Sequence, residues 1–192
     1  MSLLRSKLLL VGERRELSLP LSAGDLGSLR SGDLVSLTGS MYTGRDVAHR
    51  RLCSLLEQGR ELPVNLDGET LYYVGPSPPR PGRTVGAAGP TTSRRMDPYT
   101  PLLLQHGLKA MLGKGSRSVQ VRQAMLENGA VYLATFGGAG AFLSQYIMKV
   151  QTAAFADAGP EAMFLFEVEN FPAVVINDVV GRDFYEMAGK GR

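Results

Sequence analysis

Glycine and proline break the chain into short apolar runs, and this spacing limits it to short elements joined by many turns. Asp33-Leu34-Val35-Ser36-Leu37-Thr38 ends on Gly39, Leu71 to Val74 on Gly75, and Ala110 to Leu112 on Gly113, while Ala130 to Thr135 stops just before Gly137-Gly138. The first, second and last of these have the length and composition of strands. Near the start, Lys7 to Ser18 holds two apolar pieces around Gly12-Glu13-Arg14-Arg15 and reads as a hairpin. Its second arm, Glu16 to Leu19, alternates polar and apolar as a half-buried strand does.

Helices are expected between these strands. Thr43 with Asp46 has the spacing of a capping box and opens a helix with an apolar stripe of Ala48, Leu52 and Leu56, ending near Gly59. Asp97-Pro98 opens another, with a carboxylate cap and proline in the first turn. Ser116 caps a third, running to about Asn128-Gly129, and Ala139 to about Thr152 reads as a fourth. The prolines of Gly75 to Gly82 forbid helix interior and central strand, so that stretch is a surface connection. Two final strands fit Met163 to Val168 and Ala173 to Ile176. Strands and helices mix without strict alternation, which predicts an α/β or α+β sandwich rather than a regular doubly wound sheet.

At 192 residues with 44% hydrophobic content, the chain suits one domain, 1–192, with a core of its own. The net charge is +3, but the basic residues are scattered and little interleaved with aromatics, which argues against nucleic acid. Cys53 is the only cysteine, so an intrachain disulfide, a thiolate zinc cage and a cluster held by several of its own cysteines are excluded. No apolar run reaches bilayer length and the start lacks a secretory signal, so a soluble cytoplasmic protein is expected.

Three cations stand out by position. Arg45, Arg95 and Lys114 each fall at or just before an expected helix start, where exposed N–H groups already carry partial positive charge. An anion bound between them, such as a small di-acid, would account for all three. Each could instead reach sideways to a surface carboxylate. Thr91, Thr92 and Ser93 place hydroxyls beside Arg95, suited either to a substrate carboxylate and its proton or to ordinary turn and capping chemistry. Other signals carry little. Phe136 to Gly140, with Asp157 downstream, lacks dinucleotide-loop glycine spacing, and Gly86 to Ser93 lacks a P-loop ending. His49 and His106 have no partner at metal spacing and read as surface or packing residues; Cys53 reads as a small buried apolar side chain.

Several segments resemble, in order, the beta component of class I fumarate hydratases and L-tartrate dehydratases. They are Tyr42-Thr43-Gly44-Arg45-Asp46 with His49, Gly89-Pro90-Thr91-Thr92-Ser93 with Arg95-Met96-Asp97, Gly113-Lys114-Gly115, Phe136-Gly137-Gly138-Ala139, and Glu167 to Ala173. The resemblance implies a swivelling β/β/α-type α/β domain with mixed sheets and flanking helices. It also implies a partner alpha subunit, or a fused N-terminal domain, that binds a [4Fe–4S] cluster through three cysteines, and hence a hetero-oligomer. By the same resemblance Arg45 and Arg95 clamp the carboxylates of a small dicarboxylate, Lys114 adds a charge contact, and Thr91 is the candidate for proton transfer. The implied reaction is reversible hydration of fumarate to L-malate, with departure of the hydroxyl assigned to the partner. Tartrate dehydration and a non-catalytic anion-binding module are the alternatives.

Overall fold

The computed structural model describes residues 14–189. The first arm of the expected hairpin lies outside them. Its second arm is β1 (Arg15–Leu19), with the expected alternation of exposed and buried side chains. It pairs in parallel with β2 (Leu34–Thr43). The crossover is α1 (Ala23–Ser28), capped by Ser22, whose hydroxyl accepts from Asp25 N while Asp25 Oδ2 accepts from Ser22 N. Such a reciprocal cap satisfies donors that the helix start would otherwise leave orphaned.

After β2 come α2 (Asp46–Glu57), β3 (Thr70–Tyr72), a 3₁₀ turn at Ser93–Met96, α3 (Thr100–Gln105), β4 (Ala110–Gly113), α4 (Val119–Asn128) and β5 (Val131–Ala134). Strands β2, β3, β4 and β5 run parallel in that order. Then follow α5 (Gly140–Leu143), β6 (Ile147–Ala154), β7 (Met163–Asn177) and α6 (Phe184–Gly189). Strand β7 is antiparallel to both β5 and β2, so the sheet closes on itself through β2, β3, β4, β5 and β7. A single mixed sheet in a barrel-like ring thus replaces the expected sandwich and its separate sheets. Strand β1 extends β2 outside the ring, and β6 extends β7.

The core has two parts, divided by the side-chain alternation of the strands. Leu37, Tyr72, Leu112, Leu133, Phe171 and Val175 fill the inside of the ring. Leu71, Met111 and Tyr132 face the other way, against Ala48 and Leu52 of α2, Leu103 of α3 and Met125 of α4. Because β4 and β5 are buried on both faces, they read as unbroken apolar runs.

Five further expectations fail, and those at Thr43, Asp97 and Ala139 to Thr152 fail because a more distant partner takes over. Thr43 does not cap α2; it ends β2, and its hydroxyl accepts from Phe164 N at 3.0 Å. Asp97 does not cap a helix either, since its carboxylate binds Arg117 Nε at 2.8 Å and Ser118 N at 2.7 Å. Ser118, not Ser116, caps α4, which ends on Gly129 at φ 60. The segment Ala139 to Thr152 is helical only over α5 and a short 3₁₀ turn, and then becomes β6 because β7 offers an edge. The two final strands are one, β7, with a register shift opposite Leu37–Gly39 where Asn170 takes φ 54.

Candidate functional site

Parallel strands deliver their C-terminal ends to one rim, the usual place for a ligand site in such sheets. Arg45 follows β2, Tyr73 to Gly75 follow β3, Lys114 follows β4, and Gly137 follows β5. Strand β7 runs the opposite way, so Glu161, just before its start, lies on the same rim.

The loop bearing Thr91 and Arg95 is laced across this rim by main-chain bonds. Thr91 N donates to Tyr73 O at 2.7 Å, and Ser93 N donates to Lys114 O at 2.9 Å. Ser93 Oγ accepts from Lys114 N at 3.1 Å and lies 2.9 Å from the Tyr132 hydroxyl, which donates to Gly115 O. Ser93 is therefore a buried fastener, not a hydroxyl offered to substrate. Thr91 is half-buried, and Thr92 is exposed.

Arg45 and Arg95 meet at one carboxylate. Asp46 Oδ1 accepts from Arg95 Nε at 3.1 Å and Oδ2 from Arg95 Nη2 at 2.8 Å, while Oδ2 stands 3.9 Å from Arg45 Nε. Arg45 Nη2 pairs with Glu161 Oε1 at 3.1 Å, and Glu161 Oε2 accepts from Val47 N at 3.3 Å in the first turn of α2. Of the three cations only Arg45, the N-cap of α2, sits at an α-helix start. Arg95 lies within the 3₁₀ turn, and Lys114 precedes the α4 cap by four residues. The Lys114 stem passes over Gly137, where a Cβ would be 3.2 Å from its Cδ. Among the described residues, no side-chain hydrogen bond or ion pair joins Thr91 or Lys114 to either arginine. The four candidates share the rim, and only the two arginines share a partner.

The sequence reading did not place Asp46 or Glu161 at this site. Asp46 adjoins Arg45 and was readable, but its spacing from Thr43 suggested a cap. Glu161 is distant along the chain and gave no signal. Behind the rim, His49 is fully buried, with Nδ1 2.9 Å from Arg45 O and Nε2 without a hydrogen-bond partner among the described residues. Burial drives its pKa down to about 4, with Arg117 adding to the effect, against opposing influences from the Arg45 carbonyl and Asp46.

The residues of this chain do not fit an iron–sulfur cluster. Cys53 is a lone buried cysteine whose thiol is pushed up to about 11, by burial and then by Glu57. Among the described residues no three His, Cys, Asp or Glu side chains converge as a metal site. Nor, among them, is any helix long and apolar enough to cross a membrane.

Residues 11–188 match the family model described as Fumarase C-terminus. The chain is 42% identical to the anaerobic class I fumarate hydratase of Escherichia coli K12 over 154 residues, covering 79% of this chain and 28% of that protein. It is 44% identical to mitochondrial fumarate hydratase 1 of Leishmania major over 154 residues, again 79% of this chain and 28% of the relative. A Methanocaldococcus jannaschii protein provisionally named L(+)-tartrate dehydratase subunit beta is 34% identical over 176 residues, which is 88% of this chain and 90% of that one. The chain thus spans little more than a quarter of the two fumarate hydratases but nearly all of the separate subunit. With residues 11–188 matched, the chain belongs to the family described as Fumarase C-terminus.

Proposed function

We propose that this chain is the beta subunit of a hydro-lyase for small dicarboxylates, acting on fumarate and L-malate in the cytoplasm. In this reading residues 1–192 form one swivelling β/β/α domain. It supplies the carboxylate-binding cations, while an alpha subunit carries the [4Fe–4S] cluster in a hetero-oligomer. The observation that carries it is the meeting of Arg45 and Arg95 at Asp46 on the rim that also bears Thr91 and Lys114.

Dehydration of malate removes a weakly acidic proton beside a carboxylate, so negative charge grows on that carboxylate in the transition state. Fixed guanidinium donors near the growing charge stabilise it more than they stabilise the ground state. Arg45 and Arg95 take that role, and Lys114 adds a third positive charge. Thr91, held by its main chain at Tyr73, is assigned the proton at carbon. A Thr hydroxyl serves in this way only where nearby cations stabilise its deprotonated form.

The test is reconstitution with the cluster-bearing partner. Arg95→Ala should lower kcat/KM by roughly a hundredfold, as for loss of one charge-assisted donor, with cluster absorbance unchanged. Near-normal turnover would sink the assignment. The 90% coverage of the M. jannaschii subunit favours tartrate as the second reading. It needs the same cations with room for one more hydroxyl, and turnover of each acid by the same complex separates the two. Binding without turnover of either would leave the anion-binding module.

A further inference from the structure

Each rim arginine is already held by a protein carboxylate, and each is held from one side. A guanidinium carries five N–H donors in a planar fork, enough for two carboxylates at once. Asp46 takes the Nε and Nη2 edge of Arg95, leaving both Nη1 hydrogens and the second Nη2 hydrogen for another acceptor. Glu161 takes Nη2 of Arg45 and anchors its other oxygen on Val47 N. Arg45 Nε is then left buried and without a hydrogen-bond partner, its nearest carboxylate oxygen 3.9 Å away on Asp46. A buried donor with no acceptor is unfavourable, and this one lies beside the paired arginines, where an arriving anion can supply the acceptor.

Charge points the same way. Arg45, Arg95, Lys114 and the N-terminus of α2 would repel one another in an empty site. Asp46 and Glu161 reduce the formal charge of these side chains from +3 to +1, so the arginines can stay in place before an anion binds. These contacts differ from the surface ion pairs that contribute little. The Asp46–Arg95 pair is bidentate although Arg95 is 52% exposed, and the side chains of Asp46, Glu161 and Arg45 are 32%, 26% and 25% exposed.

We propose that Asp46 and Glu161 are positioning residues, Asp46 for Arg95 and Glu161 for Arg45, fixing the guanidinium groups so that their remaining donors face one dicarboxylate. The proposal rests on the function given above. It makes the acidic residue after Arg45 and the one before β7 part of substrate recognition, although neither contacts substrate.

The experiment uses the complex reconstituted with its cluster-bearing partner and the unreactive four-carbon dicarboxylate succinate as probe. Succinate binding is measured by calorimetry beside steady-state hydration kinetics and thermal unfolding, for wild type, Asp46→Asn, Glu161→Gln and Arg95→Ala. The expected result for the first two variants is succinate binding weakened by about tenfold and KM raised to match. Their kcat/KM should fall by at least as much, because the arginines they hold also stabilise the growing carboxylate charge, with an unchanged unfolding temperature. A purely structural role would instead lower the unfolding temperature while the folded complex binds succinate normally, and that outcome overturns the proposal. If both variants bind succinate normally while Arg95→Ala does not, the positioning role fails and the arginine clamp stands. If Arg95→Ala also binds normally, the clamp itself falls, and the proposal with it.

Discussion

A Cβ on Gly75 would stand 2.8 Å from Cδ and 2.9 Å from Nη1 of Arg45, so this arginine lies flat against bare backbone. The same Cβ would be 3.0 Å from Pro160 O, which leaves little room for the backbone to give way. Gly75→Ala should therefore push the guanidinium off its seat. A misplacement on this scale costs roughly ten- to hundredfold in kcat/KM in the reconstituted complex. Steady-state kinetics beside an unfolding curve will show whether the loss is catalytic; wild-type kinetics would mean that Arg45 tolerates another path.

Gly113 makes room for Ser93. A Cβ there would collide with Ser93 Oγ and approach Tyr73 Cδ2 to 3.1 Å, in a region where Ser93 and Tyr73 are fully buried. Overpacking of this kind costs about 1–3 kcal/mol, so Gly113→Ala should lower the unfolding free energy from urea titration by that much. Ser93→Gly in the same chain should relieve part of the clash, making the double variant less unstable than the two losses added together. Strict additivity would show that the two positions do not press on each other.

Arg117 is a buried strut for the same loop. Its Nε donates to Asp97 at 2.8 Å and its Nη2 to Thr100 Oγ1 at 2.7 Å, while its guanidinium lies between the Tyr73 and Tyr132 rings at 5.2 and 5.1 Å. Asp97→Ala strands that charge away from water and should cost about 3–5 kcal/mol by denaturant titration. Changing Arg117 to Met in the same chain should recover much of the loss. A cost below about 1 kcal/mol for Asp97→Ala alone would mean that the two tyrosine rings suffice to hold the cation.

His49 gives the fold an acid sensitivity. Its pKa is about 4 when folded, against an ordinary value of 6.5, so between those pH values the unfolded chain binds the additional proton. Stability from this residue is full above the unfolded value and is lost as pH falls from about 6.5 to about 4, by about 3 kcal/mol in all. His49→Phe should flatten that part of the stability curve relative to wild type. Parallel curves for the two proteins would show that His49 is not the group responsible.

Much of this architecture was legible in the chain. Leu71 to Val74 and Ala130 to Thr135 read as strands because both faces are buried, which leaves unbroken apolar runs. Arg15 to Leu19 read as a strand because one face is buried and the other exposed. Ile147 to Ala154 did not, since this exposed edge carries residues at home in a helix, and only pairing with β7 makes it a strand. Asp97 misled for a related reason: its place before a proline suits a cap, but the buried Arg117 is a stronger partner.

The sequence by itself determined the local vocabulary of this protein: which runs are apolar enough to be strands, where glycine and proline end them, and that one cysteine cannot build a metal cage. It also placed Arg45, Arg95 and Lys114 at or just before expected helix starts, and Thr91 in the loop beside Arg95. Tertiary structure alone decided that these segments share one rim, because β7 must pair with both β2 and β5 to close the ring. It alone brought Glu161 to Arg45 and Asp46 to Arg95. A carboxylate finds its cation by distance in space, which local spacing along the chain does not encode.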